Sequence, residues 1–186
     1  MLNKKNRDMI GNGFTITTET VFDLIKSVYQ SADAYASDFE QEYPSLEALE
    51  ARLGDIRKRP GSLFLVASDG KELSGFLFIV PRTASRLRHT ADLNMGVSEK
   101  ARGRGLGGEL LGAALSQLRA DGIIEIVYLM VGKDNLPAMR LYTRYGFEEI
   151  ATLALDTKIG TQCYDGALMK IRVPIDAKTE PVEMDK

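Results

Sequence analysis

Apolar and polar residues repeat along the chain with two different periods, and these periods predict most of the secondary structure. Apolar residues three and four positions apart predict helices over about Thr20–Ser31, from Ser45 onwards, and from Leu106 onwards. A fourth helix is capped by Asn135 and ends at about Tyr145. Alternating or continuous apolar runs predict strands at 14–18, 63–67, 73–80, 91–97, 123–131, 148–155 and 167–173.

The order of these elements predicts a fold of the α/β or α+β class. Strands and helices follow one another as β-α-α-β-β-β-α-β-α-β-β, which indicates a mixed sheet with helices on both faces. A length of 186 residues corresponds to one domain. We expect this domain to span 13–174, between a flexible N-terminus, 1–12, and a flexible C-terminal tail, 175–186, because both ends are polar.

Composition excludes several classes of protein. The formal net charge of −2 gives no overall reason to expect a nucleic-acid partner. The single cysteine, Cys163, excludes a disulfide framework within the chain. With one histidine, His89, besides it, the chain has too few Cys and His ligands for a metal centre of that type, so no metal is expected. No apolar run approaches the roughly 18 residues of a membrane helix, and the basic N-terminus has no apolar core behind it, so we expect no secretory signal. We therefore expect a cytoplasmic protein with no membrane contact.

A glycine-rich loop between a strand and a helix carries the clearest chemical signal. Glycines let backbone N–H groups approach an oxygen-rich ligand, and the helix N-terminus adds unpaired donors and a positive dipole end. Two arginines add positive charge. The segment therefore predicts a phosphate or pyrophosphate site, built by Arg102, Gly103, Arg104, Gly105, Leu106, Gly107 and Gly108.

Two motifs overlap in this loop and lead to different ligands. Gly103-x-Gly105-x-x-Gly108 matches the dinucleotide pattern GxGxxG, which would indicate a nicotinamide-dependent oxidoreductase. That pattern places its first glycine directly at the end of a strand, whereas the strand here ends near Val97. The second motif is Arg102-x-x-Gly105-x-Gly107.

With a second motif downstream, the sequence resembles the GNAT superfamily of N-acetyltransferases. The first motif matches the family signature Q/R-x-x-G-x-G/A, and 135–148 matches N-x-x-A-x-x-L-Y…G-F. The likeness covers roughly 14–173. It implies a mixed, mostly antiparallel central sheet flanked by helices on both faces, with acetyl-CoA as cosubstrate.

The resemblance also implies where the cofactor lies. The backbone of Arg102 to Gly108 would hold the pyrophosphate, and main-chain groups of Met95, Gly96 and Val97 would bind the pantetheine arm. Family members separate the fourth and fifth strands to admit that arm, and Gly96 is the expected place for a β-bulge. By the same likeness, Asn135 and Ala138 lie near the cofactor, where Asn135 can also cap a helix.

Two side chains are expected to move protons. Tyr142 matches the family tyrosine near the CoA sulfur, where a phenol can protonate the departing thiolate. An alkylammonium must lose a proton before its nitrogen attacks, and Asp92, on the fourth strand, is the candidate base through a water. Glu125 is the next candidate. Neighbouring Tyr145 is expected to pack.

One acidic segment of the chain bears on the molecule that would accept the acetyl group. The segment 31–50 is acidic, and it carries Tyr35, Phe39 and Tyr43, which would suit a small cationic amine or an amino-acid-like molecule. A solvated helix face and a protein acceptor stay open. The basic loop 82–89 could hold the CoA 3′-phosphate. A homodimer is possible by the family likeness, and a non-catalytic acyl-CoA-binding module is the alternative to an enzyme.

Overall fold

The computed structural model describes residues 9–31, 38–68 and 72–174, which contain a seven-stranded mixed sheet. The strands lie in the order β1-β2-β3-β4-β5-β7-β6, and within the described strands only β4 and β5 run parallel. Their bounds are β1 Met9–Asn12, β2 Leu63–Ser68, β3 Leu73–Pro81, β4 Thr90–Val97, β5 Ile126–Gly132, β6 Glu148–Ile159 and β7 Gln162–Arg172. The expected mixed, mostly antiparallel sheet is confirmed.

Within the described ranges, five α-helices flank the sheet: α1 Thr18–Gln30, α2 Phe39–Glu42, α3 Leu46–Arg57, α4 Leu106–Asp121 and α5 Leu136–Arg144. Short 3₁₀ turns lie at Gly13–Thr15, Ser85–Leu87 and Glu99–Ala101. None of the helices in the described ranges is long and apolar enough to cross a membrane. Most of the N-terminal segment, 1–8, and the tail, 175–186, lie outside the described residues.

The first strand lies earlier in the chain than predicted. Residues 14–18 do not form a strand, because Asn12 ends β1: its side chain accepts a hydrogen bond from the Phe14 amide, and its carbonyl accepts one from the Thr15 hydroxyl. The segment before it pairs antiparallel with β2, Met9 opposite Ser68. Residues 9–12, which were expected to belong to a flexible N-terminus, thus form a strand of the sheet, and the domain bounds stay a prediction.

Each face of the sheet buries its own hydrophobic cluster. On one face, called here the α4 face, the predicted leucines of α4 pack with α5 and with residues such as Leu93 and Leu129. On the other, the α1 face, the predicted apolar side of α1 packs with α3 and with Phe76 and Phe78 of β3. Alternation along β4 therefore directs Leu93 to the α4 face and Asp92 to the α1 face.

The sheet opens between β4 and β5. Their parallel pairing covers only Thr90–Ile126, Ala91–Val127 and Asp92–Tyr128. Beyond this point β4 stays paired with β3 as far as Val97, and β5 stays paired with β7 as far as Gly132. Each strand thus stays paired on its other side, while β4 and β5 move apart from each other. The gap between them is called here the fork, and it opens toward the carboxyl ends of both strands.

Candidate active site

The fork exposes the main chain that the sequence assigned to the pantetheine arm. Met95, Gly96 and Val97 lie on β4 beyond Asp92–Tyr128, its last pair with β5. The expected bulge at Gly96 is wrong. The β3–β4 register runs without a shift from Pro81–Ala91 to Gly75–Val97, so the strands separate by divergence and not by an inserted residue.

The glycine loop presents open amides at the mouth of the fork. Gly103 and Gly105 adopt φ angles of 74° and 90°, and nothing lies within 4 Å of where their Cβ atoms would be. Gly105 caps α4. Within the described residues, no backbone hydrogen bond engages the N–H groups of Gly103, Gly105, Leu106 or Gly107. Four donors at the positive end of a 16-residue helix can bind an anion.

The loop from Arg102 to Gly108 is called here the cradle. Two of its residues have main-chain amides that already donate hydrogen bonds within the protein. The Arg102 amide donates to the Glu99 carbonyl at 3.1 Å, and the Gly108 amide donates to the Gly105 carbonyl at 2.9 Å. Neither amide is therefore among the open donors of this loop, and the predicted cofactor contacts of Arg102 and Gly108 stay predictions. Arg104 has an exposed side chain on the same loop.

The later glycines of the loop serve packing. A methyl group at Gly107 would lie 3.3 Å from Leu141 Cδ2 and 3.4 Å from Met95 Cε. At Gly108 it would lie 3.2 Å from the Tyr145 hydroxyl oxygen, which itself donates a 2.6 Å hydrogen bond to the Gly108 carbonyl. The predicted packing role of Tyr145 is confirmed. Small residues here let α5 approach the first turn of α4 and the end of β4.

The Arg102 guanidinium is not a mobile charge. Its Nε donates to the Val97 carbonyl at 3.1 Å, and its two terminal nitrogens donate to the carbonyl and hydroxyl oxygens of Ser31 at 3.0 and 2.9 Å. Sequence reasoning missed this contact because the partners are 71 residues apart.

Tyr142 lies on α5 with its ring in the α4-face cluster. The residue is 8% exposed, and its ring centroid lies 5.6 Å from that of Phe147. Burial raises the pKa of Tyr142 to about 12. No hydrogen bond of its hydroxyl is found among the described residues, yet none of their fully buried side-chain oxygens lacks a partner. The hydroxyl oxygen is therefore not fully buried.

Asp92 lies at the root of the fork, where it pairs with an arginine. Its two carboxylate oxygens accept hydrogen bonds from Nε and Nη2 of Arg82 at 3.0 and 2.6 Å, and the Arg82 guanidinium stacks over Tyr128, 4.5 Å from the ring centroid. The carboxylate raises the pKa of Arg82. The Asp92 side chain is still 54% exposed, so its other lone pairs can contact water.

The other candidate bases lie away from the fork. The Glu125 amide donates to the His89 carbonyl at 2.8 Å, just before β4 and β5 begin. A depression lined by Glu125, Arg172, Val173 and Pro174 lies at this same end of β5, and Glu125 is the one predicted site candidate in its lining. The basic loop 82–89 precedes β4, whereas the cradle follows it, so the structure does not bring this loop to the cradle.

Asn135 caps α5 at the open end of β5. Its side-chain oxygen accepts a hydrogen bond from the Ala138 amide at 3.3 Å, and Pro137 occupies the first turn. The predicted helix-capping role of Asn135 is confirmed, and the proximity of Asn135 and Ala138 to the cofactor stays a prediction. Both residues follow β5 directly, on the α5 side of the fork.

The prediction that three aromatic rings of the segment 31–50 form an exposed acceptor surface is wrong for two of them. Phe39 and Tyr43 are buried in the α1-face cluster, since both pack against Tyr29. Arg52 already lies over the Tyr43 ring, 5.1 Å from its centroid. Burial raises the pKa of Tyr43. Tyr35 lies outside the described residues.

A dinucleotide site is excluded by the topology. GxGxxG sites belong to doubly wound sheets in which most strands are parallel. Here only β4 and β5 are parallel among the described strands, and the glycines follow a strand at the centre of an otherwise antiparallel sheet. The interpretation as a nicotinamide-dependent oxidoreductase is therefore wrong.

Comparisons with known proteins match one protein family. The model of the acetyltransferase (GNAT) family matches residues 25–147. The chain is 28% identical over 127 residues to the L-amino acid N-acetyltransferase AaaT of Escherichia coli, which covers 68% of this chain and 76% of that protein. It is 37% identical over 126 residues to the mycothiol acetyltransferase of Beutenbergia cavernae, 67% of this chain and 41% of that protein. The chain thus spans less than half of that second relative.

The fold is also found in a solved structure that contains acetyl-CoA. The phosphinothricin acetyltransferase of Sinorhizobium meliloti, crystallised in complex with acetyl-CoA, superposes with a TM-score of 0.80. The match covers 95% of this chain and 94% of that chain at 16% sequence identity.

Proposed function

Because the chain belongs to the acetyltransferase (GNAT) family, for which acetyl-CoA is the cosubstrate, we propose that it acetylates a primary amine of a small molecule by direct attack of the neutral amine on the thioester. The observation that carries the proposal is the fork. Pairing of β4 with β5 stops at Asp92–Tyr128, and four open amides stand at the mouth of the gap.

In this proposal, acetyl-CoA enters the fork beside the carboxyl end of β4. The pyrophosphate accepts hydrogen bonds from the amides of Gly103, Gly105, Leu106 and Gly107, while the pantetheine arm lies along Met95, Gly96 and Val97. Main-chain N–H groups of β4 then polarise the thioester carbonyl, as donors fixed in an oxyanion hole do.

Tyr142 acts on the leaving sulfur. With a pKa of about 12, its hydroxyl stays protonated at all physiological pH values. Full proton transfer to a thiolate whose conjugate acid has a pKa of about 8.5 is uphill by roughly 5 kcal/mol. Tyr142 therefore stabilises the thiolate mainly as a hydrogen-bond donor, and the proton that finally resides on sulfur comes from the amine.

Asp92 is the proposed acceptor of the ammonium proton. It lies on the α1 face at the root of the fork, exposed to water beside the Arg82 guanidinium. That ion pair fixes the orientation of the carboxylate. A water between Asp92 and the incoming ammonium would carry the proton, since the carboxylate keeps free lone pairs.

A small-molecule acceptor is supported by the names of relatives. One relative is an L-amino acid N-acetyltransferase and another is a mycothiol acetyltransferase. The α1 face at the fork, where Asp92 and Tyr128 are at least partly exposed, offers an approach for such a molecule. The homodimer and the cytoplasmic location stay predictions.

The experiment is a measurement of CoA release from acetyl-CoA, with a thiol reagent, over a panel of amines. The panel contains L-amino acids, aliphatic and aromatic monoamines, a polyamine, an aminoglycoside and a lysine-containing peptide. We expect turnover with at least one small amine and none with the peptide. Turnover with the peptide alone would contradict the proposal of a small-molecule acceptor.

A further inference from the structure

The Arg102 side chain joins the cofactor loop to the end of α1. Its guanidinium donates one hydrogen bond to Val97, the last residue of β4, and two to Ser31, which follows α1. Arg102 itself is followed directly by Gly103, the first open amide of the cradle. One planar group therefore contacts three acceptors on two separate elements next to the fork.

The contact supplies the last turn of α1 with a positive charge that this turn itself lacks. The last turn of α1 contains no basic residue, and Ser31 donates its hydroxyl back to the Val28 carbonyl at 2.9 Å. A cation at a helix C-terminus interacts favourably with the carbonyl end of the helix dipole. Arg102 provides that cation from the cofactor loop, so the position of the loop and the order of the last turn of α1 depend on each other.

We infer that Arg102 is a positioning residue that transmits occupancy of the acetyl-CoA cradle to the C-terminal turn of α1. When the neighbouring amides hold a pyrophosphate, the backbone of Arg102 is fixed, and its hydrogen bonds to Ser31 hold Val28–Ser31 more firmly. The inference goes beyond the proposed function, and it rests only on the proposed position of the cradle, not on any acceptor.

Lysine cannot replace arginine in this role. The guanidinium is a rigid fork with five donors, whereas an ammonium is a compact point charge on a flexible stem. Arg102→Lys therefore keeps the charge but cannot reach all three oxygens in fixed geometry. Arg102→Gln removes the charge as well. Arg119→Gln is the matched control, because Arg119 is an exposed arginine at the opposite end of α4.

The test is amide hydrogen exchange of the full chain with and without saturating acetyl-CoA, and no amine is added. In the wild type and in Arg119→Gln we expect acetyl-CoA to slow exchange in the cradle, 103–107, and in Val28–Ser31, the latter by about fivefold or more. In Arg102→Gln and Arg102→Lys we expect slowing in the cradle to persist while slowing at Val28–Ser31 falls below about twofold.

The change in exchange rate on addition of acetyl-CoA distinguishes transmission by Arg102 from a purely stabilising role of Arg102. A purely structural role would speed exchange at Val28–Ser31 equally with and without acetyl-CoA. The inference is overturned if acetyl-CoA leaves Val28–Ser31 unchanged in the wild type, or if both Arg102 variants keep the effect. Absence of slowing in the cradle itself would overturn the proposed cradle as well. If Arg102→Gln fails to fold, Ser31→Ala, which deletes one of the three acceptors, must reduce the effect.

Discussion

The Tyr145 hydroxyl donates a 2.6 Å hydrogen bond to the Gly108 carbonyl, which fastens the end of α5 to the first turn of α4. The two motifs of the sequence meet at this contact, since Gly108 ends the cradle segment and Tyr145 follows Tyr142 by one helical turn. The bond joins two elements of the site without occupying any of the four open amides.

Replacement of Tyr145 by Phe should lower stability more than activity. Loss of one part-buried hydrogen bond costs about 1 kcal/mol, which lowers Tm by roughly 2–4 °C in a chain of this length. Turnover should stay within about twofold, because the ring still fills the space beside Gly108 and Gly112. Thermal unfolding and the CoA-release assay measure the two effects. A large loss of turnover at unchanged Tm would contradict this assignment.

Two glycine substitutions should change stability in opposite directions. Gly105→Ala places a side chain at a φ of 90°, which should cost about 1–2 kcal/mol although no atom lies within 4 Å of the new methyl group. Gly54→Ala, inside α3 and equally uncrowded, should gain up to about 1 kcal/mol from helix propensity. Only Gly105→Ala should also weaken acetyl-CoA binding. Chemical denaturation and a thermal-shift titration with acetyl-CoA, CoA and NAD distinguish these effects, and NAD should stabilise neither protein.

Replacement of Tyr142 by Phe should reduce kcat and leave the KM for acetyl-CoA within about threefold. A hydrogen-bond donor that acts on developing charge contributes roughly 10²-fold to the rate, and the ring of Phe keeps the packing against Phe147. Tyr164→Phe, on the half-buried Tyr164 of β7, is the matched control and should retain full turnover. Equal turnover in wild type and Tyr142→Phe would remove Tyr142 from the mechanism.

Tyr142 should also make the protein sensitive to strong alkali. Its pKa is raised by burial from 10.0 to about 12, so the folded state binds the phenolic proton more tightly than the unfolded state. This contribution to stability is complete below pH 10 and is lost as the pH rises through 12; in full it amounts to roughly 3 kcal/mol. The stability of Tyr142→Phe should therefore fall less between pH 10 and 12. Urea titrations of both proteins at pH 9 and pH 11.5 measure the free energy of unfolding. An equal loss of this free energy in wild type and Tyr142→Phe between the two pH values would contradict the prediction.

Local patterns predicted the elements and the loop, while contacts between distant residues escaped them. The leucine spacing of α4 and the order of the two motifs are properties of neighbouring residues, and both were confirmed. The occupied Arg102 guanidinium depends on Ser31, and the Asp92 carboxylate on Arg82, so neither engagement follows from a local period. The burial of Phe39 escaped detection for a related reason, because a four-residue helix is too short to show a periodic apolar side.

Replacement of Asp92 by Asn should affect turnover in a way that depends on pH. A general base contributes about 10²- to 10⁴-fold, and one that acts through an exposed water should lie at the lower end of that range. We therefore expect kcat/KM to fall by roughly 10²-fold at pH 7, where an alkylamine with a pKa of about 10.4 is almost entirely protonated. At pH 9.5 the loss should shrink, because more of the amine is already neutral in solution. Glu125→Gln, at the far end of β5, is the control and should leave kcat/KM unchanged at pH 7 and at pH 9.5. If Asp92→Asn lowers kcat/KM equally at both pH values, Asp92 serves only to hold Arg82 against Tyr128.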